Sequence, residues 1–235
     1  MKALVITPVK DSPATTRRTI EAVASAAGEF EYVVFDDFSA TETRDYLRQN
    51  RDTYGYTLVD LAEHTSNPSP NYKLVLQLAQ KMALQKGLPL IIIESDVVIR
   101  PHTISDLLSV TSQAGNAGLV GVITVDETGS YNFPYGNVKK EKTPWSETSR
   151  SLSFCCTLIS REFMSSYDFT RLSPQKDWFD IYISRQARKT GFRNYLIMEN
   201  GVLHLPHSSR PWKQLKYSHP LKYYIHKLLH HRDRI

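Results

Sequence analysis

One stretch constrains the fold of this chain more than any other: the apolar run Leu90–Ile93, which leads directly into Glu94 and Asp96. A short continuous apolar run beside turn residues is typical of a β-strand that is buried on both faces. Side chains alternate along extended backbone, so carboxylates at positions i and i+2 are expected to point the same way. Carboxylates are seldom buried without a partner, and a converging pair therefore indicates a hard cation such as Mg²⁺ or Mn²⁺. The alternative is that Glu94 and Asp96 simply begin the turn before the next helix.

Strand and helix patterns alternate through the first hundred residues. Apolar runs at residues 3–7, 32–35 and 56–61 predict strands, and apolar positions spaced three and four apart predict helices between them. This order predicts a parallel sheet with right-handed crossovers. In such a sheet, ligands bind in the crevice at the carboxyl ends of the strands, where Glu94 and Asp96 are expected to lie.

The composition limits the classes of protein to which this chain can belong. Its 235 residues suit one large domain, and no apolar run approaches the roughly 20 residues that a membrane-spanning helix needs. The N-terminus has only a brief apolar stretch before Pro8, so we interpret it as a strand and not as a signal peptide. Cys155 and Cys156 are adjacent and are not expected to bond each other, which favours free thiols in a reducing compartment. We therefore expect a cytoplasmic protein, and no nucleic-acid partner.

Three segments in order resemble the nucleotide-sugar half of family 2 glycosyltransferases. They are residues 5–9 (Val-Ile-Thr-Pro-Val), 33–39 (Val-Val-Phe-Asp-Asp-Phe-Ser) and 92–98 (Ile-Ile-Glu-Ser-Asp-Val-Val). The resemblance implies an α/β fold of the GT-A type, which is a Rossmann-like, mostly parallel central sheet with helices on both faces. Residues 1–209 would form this domain, with the nucleotide-sugar half in residues 1–100 and the acceptor half in residues 101–209.

The resemblance also implies roles for residues near the ends of these strands. Asp37 and Ser39 match a turn whose aspartate holds the nucleotide base, and Pro8 belongs to the same nucleotide-binding edge. Asp96 matches the position that coordinates a divalent cation, Mn²⁺ or Mg²⁺, on the sugar diphosphate. Glu94 stands where the family has aspartate, so a contact with metal, with ribose or with neither stays open, and we group it with the nucleotide-binding residues.

A second acidic centre follows in the acceptor half. Phe179 and Ile183 mark the apolar face of a helix, and Asp177 and Asp180 lie at its start. In the family, an acidic residue eleven positions before the glycine that ends this helix acts as the general base, and counting back from Gly191 gives Asp180. Asp177 is the alternative base, and we expect it to cap the helix instead.

Two histidines lie near the end of a late strand, and the resemblance implies that one of them completes the metal shell. His204 directly follows the strand pattern and has Ser208 four residues further on, as the family prefers. His207 is the alternative ligand. A lone histidine near a turn is more often only hydrogen-bonded, so both interpretations stay open.

A long segment of mixed composition, residues 126–149, is interpreted as a loop. Loops of this length are often lids or binding loops. Its Trp145 could stack on a sugar, but it could equally pack against the protein or lie exposed.

The C-terminal residues 210–235 form a basic tail. It contains seven basic residues and one acidic residue: Arg210, Lys213, Lys216, Lys222, Lys227, Arg232 and Arg234 against Asp233. Its apolar residues follow helical spacing, namely Leu221, Tyr224, Ile225, Leu228 and Leu229. The pattern predicts an amphipathic helix that either binds a membrane surface bearing anionic lipids or packs on the main domain.

Taken together, these features predict a metal-dependent, inverting glycosyltransferase. It would move a sugar from a nucleoside diphosphate sugar to a hydroxyl of a glycan or lipid-linked acceptor, in cell-surface polysaccharide biosynthesis at the inner face of the membrane. One alternative is a non-catalytic nucleotide-sugar-binding protein. Another is a sugar-phosphate nucleotidyltransferase, but that enzyme would need a glycine-rich phosphate loop after the first strand, and residues 8–13 contain no glycine.

Overall fold

The computed structural model describes residues 2–139, 141, 143–173, 178–205 and 219–229. Nine strands within these residues form one sheet. The strands are β1 (Ala3–Val9), β2 (Phe30–Asp36), β3 (Thr57–Asp60), β4 (Leu90–Ile93), β5 (Val97–Val98), β6 (Ala117–Val125), β7 (Trp145–Glu147), β8 (Cys156–Ile159) and β9 (Arg193–His204). The α-helices are α1 (Pro13–Ala24), α2 (Thr41–Tyr54), α3 (Tyr72–Lys86), α4 (Thr103–Gln113), α5 (Arg161–Ser166), α6 (Phe179–Lys189) and α7 (Pro220–Leu229).

Most strands of the sheet run in the same direction. Strands β3, β2, β1 and β4 lie side by side in that order as parallel neighbours. Strand β8 is antiparallel to both β4 and β6, and β6 is parallel to β9. The short strands β5 and β7 pair antiparallel with β9. The mostly parallel sheet that the sequence predicts is therefore confirmed.

Helices cover both faces of the sheet because the side chains of its strands alternate between two apolar layers. In β4, Leu90 and Ile92 pack in one layer with residues of α3, α5 and α6. Ile91 and Ile93 pack in the other layer with residues of α1, α2 and α4. All four side chains are fully buried, so the strand interiors leave no room for polar chemistry, and polar groups collect beyond the strand ends.

The backbone turns between the two carboxylates that follow β4. The strand ends at Ile93, and the Val97 amide N–H donates a hydrogen bond to the Glu94 carbonyl oxygen at 3.1 Å. Ser95 and Asp96 form the turn, and β5 begins directly after it. The prediction of extended backbone between Glu94 and Asp96 is therefore wrong. The two residues flank a turn, as the alternative had it, but this turn leads into β5 and not into a helix.

The segment predicted as a loop at residues 126–149 contains strand β7. Trp145 is half-buried in this strand. Its indole meets the Tyr195 ring of β9 edge-on, with centroids 5.6 Å apart at an interplanar angle of 79°. Trp145 therefore packs against the sheet, which was one of the alternatives for this residue.

Helix α7 lies in the basic tail and confirms a helical C-terminal extension. Leu221, Tyr224 and Ile225 are 80%, 64% and 56% exposed, while Tyr223 is buried. The predicted boundary between residues 209 and 210 lies outside the described residues. Within the residues that the structure describes, no helix has the length and apolar character needed to cross a membrane.

Candidate active site

The polar residues singled out in the sequence come together at one edge of the sheet. Strands β1, β2, β4 and β9 run in the same direction and end at this edge, where Val9 pairs with Asp36. The antiparallel strand β8 starts there, because Cys156 pairs with Ile93. Pro8 lies one residue before the end of β1 and is half-buried. This edge is where the sequence predicts the ligand crevice.

Both carboxylate oxygens of Asp37 hold the loop that leads into α3. Oδ2 accepts hydrogen bonds from the Ser69 hydroxyl at 2.7 Å and from the Asn71 amide N–H at 2.8 Å. Oδ1 accepts from the Asn71 side-chain amide at 2.8 Å. A carboxylate offers about four acceptor positions, so one position remains for a ligand. The sequence interpretation missed Ser69 and Asn71, because no spacing rule links a proline-rich loop to a distant aspartate.

Ser39 joins the loops that follow β1 and β2. Its hydroxyl oxygen accepts a hydrogen bond from the Asp11 amide N–H at 3.0 Å, and its own amide donates to Asp36 Oδ1 at 3.0 Å. The Asp11 carboxylate accepts from the Ala40 amide N–H at 2.7 Å and pairs with the Lys10 ammonium at 3.2 Å. The Ser39 oxygen is thus engaged within the protein, while its hydroxyl hydrogen can still be donated to a ligand.

Asp96 and His204 form a buried pair at the centre of this edge. They meet because Val97 of β5 pairs with His204, the last residue of β9. Asp96 Oδ2 lies 3.5 Å from His204 Nε2. His204 Nδ1 lies 2.6 Å from the Phe133 carbonyl oxygen, so Nδ1 carries a proton and Nε2 faces Asp96. The other Asp96 oxygen, Oδ1, is buried and has no hydrogen-bond partner among the described residues.

A glycine allows β9 to reach this position. A Cβ atom at Gly201 would lie 2.8 Å from Val125 Cγ1 and 2.9 Å from Ile123 Cγ2. Any side chain would therefore push β9 away from β6 just before His204. The absence of a side chain at residue 201 keeps the histidine against Asp96.

These residues fit a divalent cation. A buried acceptor without a partner is costly, and a cation beside the free Asp96 oxygen and the His204 imidazole would satisfy it. Burial lowers the pKa of His204, whereas the neighbouring Asp96 carboxylate raises it, and the net shift is upward. In the described part of the chain, no three His, Cys, Asp or Glu residues are grouped as a metal site. A cation would therefore need phosphate oxygens and water to complete its shell, as Mg²⁺ commonly does. The alternative ligand, His207, lies outside the described residues.

Glu94 faces the start of β8. Its Oε2 lies 3.7 Å from the Cys155 sulfur, and its amide N–H donates to the Cys155 carbonyl oxygen at 3.1 Å. Burial raises the pKa of the Cys155 and Cys156 thiols, so both are neutral and unreactive. Their free, buried state agrees with the interpretation that they are packing residues and not nucleophiles.

Asp180 lies at the start of helix α6. It is the second residue of α6, and its Oδ1 accepts a hydrogen bond from the Ile181 amide N–H at 2.8 Å. Burial raises the pKa of Tyr72, and the negative charges of Glu94, Asp180 and Asp96 raise it further, so all three carboxylates act electrostatically on one side chain. This common influence associates Asp180 with the carboxylates that follow β4. Asp177, the alternative base, lies outside the described residues. The expectation that it is the N-cap residue of this helix is wrong, because α6 begins at Phe179 and its N-cap is Trp178.

These features define the class of the protein: a GT-A type α/β fold with an acidic crevice, suited to a diphosphate held through a cation. The family model described as glycosyl transferase family 2 matches residues 4–167. The chain therefore belongs to glycosyl transferase family 2.

Solved structures with the same fold are distant in sequence. A fragment of S. aureus TarS, residues 1–349, has a TM-score of 0.68 and 17% identity, covering 88% of this chain and 61% of that one. A mannosyltransferase from Pyrobaculum calidifontis, in complex with GDP-Man and Mn²⁺, has a TM-score of 0.65 and 14% identity, with 96% and 64% covered. GalNAc-T7 with UDP, GalNAc and Mn²⁺ has a TM-score of 0.63 and 15% identity, with 88% and 44% covered.

The chain thus spans less than two thirds of the length of each of these structures. A search of curated proteins found no significant match. At these identities the likeness establishes the fold, and the substrates remain to be argued from the site.

The role of Asp37 as a structural anchor can be tested with Asp37→Asn. The amide would present a donor toward groups that themselves donate, so we expect the free energy of unfolding to fall by about 1–3 kcal/mol. Urea denaturation measures this change. The matched control is Asp126→Asn, because Asp126 Oδ1 also accepts three hydrogen bonds, from Thr128 and Ser130, but at an exposed turn. Water can replace those bonds, and an equal loss in both variants would contradict the anchoring role.

Proposed function

We propose that this protein is a metal-dependent, inverting glycosyltransferase whose donor is a nucleoside diphosphate sugar. The observation that carries the proposal is the buried Asp96 oxygen, which has no partner among the described residues and lies beside His204. Membership of glycosyl transferase family 2 supports the reaction class. The GDP-Man and Mn²⁺ in the Pyrobaculum mannosyltransferase support the combination of a nucleotide sugar with a divalent cation.

Residues at the ends of β1, β2 and β4 would bind the donor. Asp37 would hold the base through its remaining acceptor position, with Pro8 and the Ser39 hydroxyl hydrogen at the same edge. Asp96 and His204 would hold Mn²⁺ or Mg²⁺. The bound cation would supply Lewis-acid stabilisation of the charge on the departing diphosphate. Glu94 lies between these groups and would accept a hydrogen bond from the nucleotide.

Asp180 would act on the acceptor. Its carboxylate would take the proton from an acceptor hydroxyl as that oxygen attacks the anomeric carbon. The bond to the diphosphate breaks as the new bond forms on the opposite face, so the configuration inverts and no covalent glycosyl-enzyme forms. A glycan or lipid-linked sugar in cell-surface polysaccharide biosynthesis would provide the hydroxyl.

A non-catalytic nucleotide-sugar-binding protein is the rival proposal. Such a protein needs the donor-binding residues but has no use for a carboxylate across the crevice from them. The position of Asp180, whose charge raises the pKa of Tyr72 together with the charges of Glu94 and Asp96, therefore favours the enzyme. Slow metal-dependent hydrolysis of a nucleotide sugar would distinguish an enzyme from a binder without knowledge of the acceptor.

The metal assignment predicts that Asp96→Ala loses the Mn²⁺-dependent stabilisation by a nucleoside diphosphate. In the wild type, a nucleoside diphosphate with Mn²⁺ should stabilise the fold by about 2.7 kcal/mol at one hundred times its Kd. Asp96→Ala should lose the Mn²⁺-dependent part, because the carboxylate joins the cation to the protein. A thermal-shift panel of nucleotides and nucleotide sugars, with and without Mn²⁺, measures this. Glu127→Ala is the control, because Glu127 is an exposed carboxylate outside the crevice. Undiminished Mn²⁺-dependent binding by the Asp96 variant would refute the assignment.

The base assignment predicts that Asp180→Asn lowers turnover by about 10²- to 10⁴-fold, the usual contribution of a general base. Donor affinity should stay nearly unchanged, because Asp37 and the cation hold the donor. Asp177→Asn is the matched control and should be mild, since in this assignment Asp177 takes no part in the proton transfer. Turnover and donor affinity of both variants give the answer. A large loss of turnover in Asp177→Asn alone would identify Asp177 as the base. Normal turnover in both variants would show that neither residue is the base.

We further propose that α7 binds the cytoplasmic surface of a membrane, where a lipid-linked acceptor would lie. Leu221, Tyr224 and Ile225 project apolar side chains into solvent, and the exposed Lys222 lies among them. Exposed apolar groups beside basic side chains suit the interface of a bilayer that contains anionic lipids. The alternative, in which these three residues pack on the main domain, disagrees with their exposure.

The membrane proposal predicts that the protein sediments with anionic liposomes more than with neutral ones. Replacement of both Tyr224 and Ile225 by serine should reduce sedimentation, as should truncation after Ser218, because each removes apolar surface from the interface. Tyr46→Ser, in helix α2 of the main domain, serves as a control substitution. Equal sedimentation with both kinds of vesicle, or no loss on truncation, would refute membrane binding by α7.

A further inference from the structure

Tyr72, the first residue of α3, has a ring whose position is fixed by two aromatic neighbours. Phe154 stacks on the ring with centroids 6.4 Å apart at an interplanar angle of 18°. Phe179 is nearly parallel to it, with centroids 6.3 Å apart at 5°. Such contacts hold the ring in one orientation, and its hydroxyl therefore points to one defined place.

The hydroxyl of Tyr72 is buried and has no hydrogen-bond partner among the described residues. Two other buried tyrosines do have one: Tyr32 donates to the Thr7 hydroxyl at 2.9 Å, and Tyr56 donates to the Leu47 carbonyl oxygen at 2.6 Å. The hydroxyls of Tyr46 and Tyr167 are also without a partner among the described residues, but the crevice carboxylates are not among the groups that shift the pKa of either. A buried hydroxyl without a partner destabilises a protein, and phenylalanine would fill the same space without that cost. We therefore expect the Tyr72 hydroxyl to form a hydrogen bond with a bound ligand.

The neighbours of Tyr72 place its hydroxyl between the donor and acceptor sides of the crevice. Asn71 precedes it and binds Asp37. Phe179, which stacks on the ring, directly precedes Asp180. Burial raises the pKa of the hydroxyl, and the negative charges of Glu94, Asp180 and Asp96 raise it further, so these carboxylates act electrostatically on it.

In the proposed reaction the acceptor oxygen displaces the diphosphate in one step. This geometry indicates which part of the substrate would lie beside the Tyr72 hydroxyl. The anomeric carbon lies between the diphosphate, held at Asp96, and the base, Asp180. A group near both carboxylates is therefore beside the sugar ring. Phosphate oxygens would be repelled by the surrounding carboxylates unless a cation intervened, whereas a sugar hydroxyl can accept from Tyr72 and donate to Glu94 or Asp180.

We propose that the Tyr72 hydroxyl donates a hydrogen bond to a hydroxyl of the donor sugar and so helps to select that sugar. This inference rests on the proposed function and extends it to the sugar itself. A site that hydrogen-bonds a substrate hydroxyl discriminates strongly against sugars that lack it, because the buried protein group is then left unpaired.

The test is Tyr72→Phe, which removes the hydroxyl and keeps the ring between Phe154 and Phe179. Calorimetry would compare the Kd of the nucleotide sugar that gives the largest thermal shift with the Kd of its nucleoside diphosphate, both with Mn²⁺. We expect the variant to bind the nucleotide sugar about 10-fold more weakly, as for the loss of one hydrogen bond. Its affinity for the nucleoside diphosphate should not change. The unliganded variant should melt no lower than the wild type, because the hydroxyl has no partner to lose.

Tyr167→Phe is the matched control. Tyr167 belongs to the same apolar layer and stacks on Phe163, but its hydroxyl lies beside Tyr182 and not beside the crevice carboxylates. This variant should bind both ligands as the wild type does. An unchanged ratio of the two affinities in Tyr72→Phe would overturn the inference, and an equal loss for both ligands would assign the hydroxyl to the diphosphate and overturn it as well. If the wild type bound neither ligand, the proposed function would fail first.

Discussion

The common direction of β1, β2 and β4 is the constraint on which the rest of the structure depends. Hydrogen bonds between the strands satisfy their backbone groups, and mostly apolar side chains fill both faces of the sheet. The carboxylates therefore lie at or beyond the strand ends, and parallel pairing brings those ends together. Asp37 and Glu94 reach one crevice because of the sheet, although they are far apart in the chain.

Asp37 illustrates how one carboxylate can both stabilise a loop and leave room for a ligand. Three of about four acceptor positions are used by Ser69 and Asn71. These bonds fix the orientation of the carboxylate before any nucleotide arrives, so a base would meet an acceptor that needs no reorganisation. The same bonds restrict the ligand to the single position that remains, which favours a base with one suitably placed N–H donor.

The strands, helices and acidic strand ends could be predicted because apolar periodicity and turn residues are local signals. Three features could not. The pairing of Val97 with His204, which brings Asp96 beside the histidine, is a contact between distant parts of the chain. Trp145 joins a strand only because β9 offers an edge beside it. Asn71 contacts Asp37 only because of the path of the intervening loop, which no residue spacing encodes.

The start of α3 connects the two halves of the crevice through successive residues. Asn71 holds Asp37 on the nucleotide side, and the ring of Tyr72 stacks on Phe179 beside Asp180 on the acceptor side. A ligand shifts a conformation only if it binds the two states differently. A base that takes the remaining acceptor position of Asp37 does not displace Asn71, so it gives no reason for α3 to move. Under the proposed function, donor binding should therefore leave the aromatic stack and Asp180 in place, and the crevice would be preorganised for transfer once both substrates were bound.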